Sequence, residues 1–404
     1  MAATTPGAVR PADRAAALAE SRNLKMARSA HAYVRGNTKQ FYEWLKAQAP
    51  DSLPAGPAIW ICGDCHLGNL GPIASLHGGV EIQIRDLDQT VIGNPAHDLI
   101  RLGLSLAMAA RGSDLPGVTT AVMLEQLMEG YCAGLAGTAE EAEAPLPTPV
   151  HLVMKDALRR SWKHLARDRF DDVVPTMPIG KRFWKLTAEE KAAIARLFEK
   201  KSVSRLATLL GSRDDDAPVA VLDAAWWRKG CSSLGLLRYA VVLGVGEPGS
   251  DDPQYCLVDI KEAVPAAAPA YAKARMPEDH AMRVVEGARH LSPHLGDRML
   301  AAELLGRPVF LRELLPQDLK LEIEQLTRPE ATEVAAFLGG VVGKAHARQM
   351  DGPTAAAWRS ELRKGRSKTL DAPGWLWSSI VDLVASHEAG YLQHCRRYAL
   401  REAA

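Results

Sequence analysis

The chain has 404 residues, 47% of them hydrophobic and 24% charged, and its 49 basic and 48 acidic side chains leave a net charge of +1. That length suits a bilobal enzyme or two to three domains, and the even charge balance gives no sign of nucleic acid or an anionic membrane as partner. No apolar run spans a bilayer, Arg10, Asp13, Arg14 and Glu20 interrupt any signal-peptide core, and six cysteines are too few for a disulfide framework, so a cytoplasmic protein is expected.

In chain order, residues 1–21 read as a flexible extension. Residues 22–48 read as helical, with a break at Arg35-Gly36, and Ile59 to Cys62 as a short strand. A hairpin is expected over 69–86, then helices over 98–111 and 120–136, then an Ala-, Glu- and Pro-rich loop from Gly137 to Pro149. Residues 151–209 read as helices with a basic bias: Lys155, Arg159, Arg160, Lys163, Arg167, Lys181, Arg182 and Lys185. Such a run is either a solvated face or a site for a phosphorylated or acidic ligand. After the polar stretch 211–216 the texture turns β-rich, with strands near 236–243, 255–260 and 308–314 and a helix over 278–291. Thr327 caps a helix whose apolar residues fall at 334, 337, 338, 341 and 342, and further helices follow over 355–400. The division expected is a helical lobe over 22–228, a β-rich lobe over 229–316, and helices over 317–404 that complete the first lobe and cap it.

The chemistry gathers at the hairpin. Val80, Ile82 and Ile84 alternate with polar residues, and Asp86 shares their parity. Folding about His77 and Gly78 pairs residue i with 155 minus i, which sets Asn69 opposite Asp86. Asp64 lies one short loop earlier. Two carboxylates and an amide oxygen at one hairpin end suit Mg²⁺, which prefers hard oxygen donors. Phosphoryl transfer needs such a metal and a carboxylate to accept the hydroxyl proton, and Asp-x-x-x-x-Asn is the spacing of kinase catalytic loops.

Three segments carry a family resemblance. They are Gly63-Asp64-Cys65-His66-Leu67-Gly68-Asn69-Leu70-Gly71, Arg85-Asp86-Leu87-Asp88, and Gly93-Asn94-Pro95-Ala96-His97-Asp98-Leu99. Together they resemble the DUF2252 family of bacterial proteins, and they are similar to the aminoglycoside and choline phosphotransferases of the kinase-like superfamily. The resemblance implies Asp64 as base, Asn69 and Asp86 as metal ligands, Asp88 as a further ligand or substrate contact, and Asp98 as a structural acceptor tying the loop down. Cys62 stands where those phosphotransferases usually carry His. Lys25 to Ser29 and Tyr33 to Gly36 also resemble the DUF2252 pattern. Arg35 there either approaches phosphate or is an ordinary helix-end cation.

The nucleotide half follows late. Gly230, Ser232, Ser233 and Gly235 form a glycine-bearing phosphate loop or a plain turn. Lys261 ends a strand and Glu286 sits on the next helix, the strand-Lys and helix-Glu arrangement with which a kinase holds ATP phosphates. Val258 to Glu262, Arg283 to Gly287 and Arg312 to Pro316 also resemble the DUF2252 pattern, and that resemblance implies Glu313 to Pro316, Leu315 included, as an inter-lobe hinge whose backbone would meet adenine. The fold expected is therefore α+β and bilobal, protein-kinase-like but circularly permuted, with extra C-terminal helices. Cys62-x-x-Cys65 reads weakly as a redox pair, because no helix N-terminus follows it. His346 reads as a packed or capping residue.

The activity implied is Mg²⁺–ATP-dependent transfer of phosphate to a small-molecule hydroxyl or amine. A nucleotide-binding regulator that does not transfer, and an AMP transferase using the same residues, are the alternatives.

Overall fold

The structure is a computed structural model that describes residues 9–49, 51–137, 146–170, 176–229, 235–247, 254–321, 326–364 and 372–398. Ten strands occur among them. Strands β1 (Ile59–Ile61), β2 (Leu70–Ala74), β3 (Val80–Ile84) and β4 (Val91–Gly93) form two small antiparallel pairs, β1 with β4 and β2 with β3. Strands β5 (Phe183–Trp184), β6 (Val219–Trp227), β7 (Arg238–Val245), β8 (Gln254–Glu262), β9 (Met299–Leu304) and β10 (Arg307–Leu314) form a six-stranded sheet in the order β5-β6-β7-β8-β10-β9, antiparallel throughout. The fold is thus mixed α+β.

Period-two alternation splits each long strand between two faces. On the upper face Tyr239, Val241, Val258, Ile260 and Leu311 pack with Ile194, Leu197 and Phe198 of the helix Ala188–Glu199. On the lower face Ala240, Val242, Leu257 and Leu314 pack with Leu165, Ala166 and Met177. The larger core lies among the helices Ala96–Gly112, Gly117–Ala136, Arg328–Ala347 and Gly374–Tyr398. Glycine lets two of these helices touch backbone to backbone: a Cβ on Gly130 would fall 1.8 Å from the Ala336 carbonyl oxygen. Among the described residues no helix is long and apolar enough to cross a membrane.

Three expectations need correction. The described part of the first 21 residues is no loose extension. The helix Arg14–Ala27 begins there, Leu18 is buried in the upper-face core, and buried Arg14 pairs with Glu190 at 2.6 Å. Residues 22–48 break after Arg35-Gly36 as expected, where Asn37 caps a new helix, and also at Ser29, so they hold parts of three helices, each new start capped through a side-chain oxygen. The boundary near 229 falls inside the sheet, since β5, β6 and the covering helix all precede it.

The hairpin register is also one residue off. Leu70 pairs with Ile84 and Ala74 with Val80. The turn sets this: the Ser75 N–H donates to the Gly79 carbonyl at 2.7 Å, Ser75 Oγ accepts from the Gly79 N–H at 3.0 Å, and Gly78 takes a left-handed φ of +86°. The Arg85 N–H therefore donates to the Asn69 carbonyl at 2.8 Å, and Asp86 stands one residue past the expected pair.

Candidate active site

The loop 63–69 is fixed by one face of the helix Ala96–Gly112. Asp98 Oδ2 and Oδ1 accept the Cys62 and Gly63 N–H groups at 2.7 and 2.9 Å. Arg101 Nε donates to Asp64 Oδ1 at 2.8 Å and its Nη2 to the Val34 carbonyl at 2.7 Å. Ser105 Oγ accepts the Leu67 N–H at 3.1 Å. Positions 98, 101 and 105 are spaced three and four apart, so they share that face. Asp98 thus has the tying role that the resemblance implies. His346 Nε2 lies 3.2 Å from Asp98 Oδ2, its Nδ1 2.8 Å from the Tyr131 hydroxyl, and the ring is wholly buried, a packed residue as expected.

Asp64 is 7% exposed and lines a cavity with Asn69 and Asp86. Burial raises its pKa, and Arg101 pulls it partly back. The second carboxylate oxygen, Oδ2, lies 3.9 Å from His66 Nε2. Burial, Arg35 and Arg101 hold the His66 imidazole well below its ordinary value, so it is neutral there. Asn69 is oriented by its amide nitrogen, which donates to the Asp64 carbonyl at 2.9 Å and the Asp86 carbonyl at 3.5 Å. That leaves the amide oxygen as the group it can offer a ligand.

From the sheet, Lys261 reaches this hairpin end. Its Nζ donates to Asp86 Oδ1 at 3.1 Å and to both Asp88 oxygens at 2.9 and 2.7 Å. Lys261 is 2% exposed, and Nζ also sits 5.3 Å from the Phe310 ring centre. Burial works to raise the Asp86 pKa, but Lys261, Arg312 and Arg238 outweigh it and keep the carboxylate charged. Burial and neighbouring Asp86 push Asp88 the other way. Beneath Lys261 a second ion cluster holds the strands: Asp259 takes Arg238 at 2.6 Å and Arg312 at 3.3 Å.

The expected partners are only partly brought together. Lys261 meets Asp86 and Asp88, whereas Glu286 binds Arg289 at 2.6 Å on its own helix, His280–Leu291. The expected Lys261–Glu286 pair is therefore replaced. The residue of that helix that reaches the site is Arg283, whose guanidinium donates to the carbonyls of Thr90, Asp88 (3.1 Å) and Val264 (3.0 Å). Asp88, expected among the metal ligands, spends both oxygens on Lys261 and does not line the cavity. Among the described residues no cluster of three or more His, Cys, Asp or Glu is placed to hold a metal. The donors that fit a hard cation are the Asn69 amide oxygen and the Asp86 carboxylate, both at the cavity.

Gly230, Ser232 and Ser233 of the expected phosphate loop lie outside the described residues. Gly235 takes a φ of +113°, which glycine tolerates. The expected hinge is engaged internally. The Glu313 side chain, 2% exposed on β10, pairs with Arg213 at 2.8 Å, and its carbonyl accepts from Arg298 at 2.8 Å. The Leu315 N–H donates to Asp318 Oδ2 at 3.2 Å, and the Pro316 carbonyl accepts from Arg160 Nε at 3.0 Å. Adenine would have to displace these partners. Cys62 and Cys65 are buried free thiols, and hydrogen bonding to Cys65 together with burial holds Cys62 far above its usual pKa, the reverse of a redox thiolate.

Arg101 and Arg238 escaped the sequence reading, and Arg283 and Arg312 entered it only as members of their segments, without a role. For Arg101 a signal existed, since it is a cation three residues after Asp98 in an otherwise apolar helix. The strand arginines carry no local signal, because their counter-ion Asp259 belongs to another strand.

A mixed α+β protein whose polar cavity lies between a six-stranded sheet and a helix-tethered carboxylate loop is the class that these features define. The chain belongs to the DUF2252 family, described as an uncharacterized protein conserved in bacteria, and the family's profile matches residues 14–397. No curated protein and no solved structure matches it.

Proposed function

We propose that the protein is a Mg²⁺–ATP-dependent phosphotransferase of circularly permuted kinase-like fold, acting on a small-molecule hydroxyl or amine. The observation that carries this reading is the convergence of Lys261 with Asp86 at 3.1 Å, across 175 residues, beside the Asp64–Asn69 loop. Its chain order supports the permutation: base loop and metal carboxylate come first, then two strands joined by a glycine-bearing connection, the Lys strand and a helix.

In this reading Asp64, its pKa raised by burial, takes the proton of the acceptor hydroxyl as the oxygen attacks the γ-phosphorus. The bond to the bridging oxygen breaks and ADP leaves. Arg101 holds the carboxylate in place. Mg²⁺ would be held by Asn69 and Asp86, where it neutralises phosphate charge. Lys261 would exchange a carboxylate contact for a phosphate.

The test is nucleotide binding by calorimetry with and without Mg²⁺, in wild type and Asp86→Ala, with mass spectrometry of the products. Metal-dependent binding lost in the variant, and ADP as product, are expected. Tight binding by Asp86→Ala without metal sinks the metal assignment. Pyrophosphate as product replaces phosphoryl transfer by AMP transfer, and bound ATP that no acceptor consumes marks a regulator.

A further inference from the structure

The chain as a whole is close to neutral, at +1, but its cavity is not. Among the described residues lining this space of about 680 Å³ are eleven Lys and Arg side chains and only two acids, Asp64 and Asp86. The cations come from separate segments: the first 36 residues, Arg85 just after β3, the stretch before β5, the residues just after β6, strands β7 and β10, and Lys320 beyond β10. Gathering like charge this way costs the folded state through self-repulsion, a cost that an anionic ligand offsets.

Some of this charge is already matched, since Arg238 and Arg312 hold Asp259. The rest is not. Arg182 donates to the Asp168 carbonyl and Arg228 to Ser21 Oγ, neutral partners that leave the guanidinium charge in place. Arg28, Arg35 and Lys181 have no acidic partner among the described residues. Arg28 and Lys181 are exposed at the rim, and Arg35 lies deeper. The Arg35 guanidinium rests on the catalytic loop itself: a Cβ on Gly68 would fall 2.6 Å from its Cζ and Nη2. It also acts electrostatically on His66, the neighbour of Asp64. The unmatched charge that these contacts place, Arg35, therefore lies beside the Asp64 loop. A base must touch the group it deprotonates, so that side belongs to the acceptor.

We propose that the acceptor is a small polyanion, a hydroxyl compound carrying two or more phosphates, held by Arg35 at the loop and by Arg28 and Lys181 at the rim. Arginine matches phosphate bidentately, and a phosphate seated on Arg35 would hold a neighbouring hydroxyl close to Asp64. The word acceptor rests on the phosphotransferase reading; the polyanion site does not.

The experiment is calorimetry at fixed ionic strength with glucose, glucose 6-phosphate, fructose 1,6-bisphosphate and a single-stranded oligonucleotide. Each is titrated with and without Mg²⁺ and adenylyl imidodiphosphate. The bisphosphate should bind at least about tenfold more tightly than the monophosphate, and Arg35→Gln should remove about tenfold of that affinity. Lys181→Gln, at an exposed position, should weaken the bisphosphate in the same direction, and neither variant should change the affinity for the nucleotide analogue. The proposal is overturned if sugar and bisphosphate bind alike, or if the analogue competes with the bisphosphate, which would give these cations to the donor. It is equally overturned if oligonucleotide affinity keeps rising with length beyond what the cavity holds. Bisphosphate binding that depends on Arg35, without any nucleotide binding, would sink the phosphotransferase reading and leave the polyanion site standing. Nucleotide binding without bisphosphate binding would do the reverse.

Discussion

At one end of the lower sheet face, neighbouring strands present Arg238, Asp259, Lys261 and Arg312 toward Asp86 and the cavity. A few residues along the same strands, Ala240, Val242, Leu257 and Leu314 meet Leu165, Ala166 and Met177 instead. At the first end the cations pair with Asp86, Asp88 and Asp259, and Asp86, Arg238 and Arg312 still line the cavity. The second packs as core beside a further cavity of about 680 Å³ lined by Arg160, Arg213, Tyr255 and Glu313, and its backbone groups at Glu313, Leu315 and Pro316 already have partners. A face that alternates correctly can thus be a site at one end and a core at the other. What covers it decides which, and the cover here is the segment carrying Arg160, Leu165 and Met177.

The largest test of the open end is Asp64→Asn. Turnover should fall by about a thousandfold with nucleotide affinity kept, as single-turnover kinetics would read. A loss of only a few fold would remove Asp64 as base. At the closed end, Arg213→Ala strands Glu313, a buried acid whose pKa burial already raises, and should cost about 3–5 kcal/mol in urea unfolding. A loss under about 1 kcal/mol would mean that water in the neighbouring cavity screens the pair.

A third test concerns the wall of the open end, where His387 packs edge-on against Tyr33, two residues before Arg35. Burial lowers the His387 imidazole to about 4, and Arg101 adds to the effect. Its folded pKa lies below the unfolded 6.5, so its contribution is intact above pH 6.5 and is lost as pH falls toward 4. The loss should reach about 2–3 kcal/mol, and His387→Phe should remove that share of the limb, while His31 and His97, also lowered to about 4 by burial, keep the rest. An unchanged limb assigns the acid sensitivity elsewhere. The smallest effect expected is Arg160→Ala. Freeing the Pro316 carbonyl should tighten nucleotide binding by about threefold to tenfold. Weaker binding would make Arg160 a support of that end instead of its seal.

The loop motif, the hairpin and the late β-rich half were legible because each is local. Alternation marked Val80 to Ile84, the Asp64–Asn69 spacing marked the loop, and a capped apolar stripe marked the helix Arg328–Ala347. The one-residue register error came from the Ser75 turn, whose side-chain bonds no pattern of apolar residues encodes. The helical reading of 151–209 passed over β5, which has only two residues, and the covering role of Leu165 and Met177 depends on strands read later in the chain.

By itself, then, the sequence determined where the charged motifs and the elements fall, because motif spacing and element periodicity are properties of neighbouring residues. Only the tertiary structure decided who partners whom. Lys261 chose Asp86 and Asp88 over Glu286, Arg101 took Asp64, Arg160 took Pro316, and a chain of net charge +1 drew eleven cations around one cavity. Ion pairs and cavities are set by distance in space, which residues far apart in the chain acquire only when the sheet and helices close on each other.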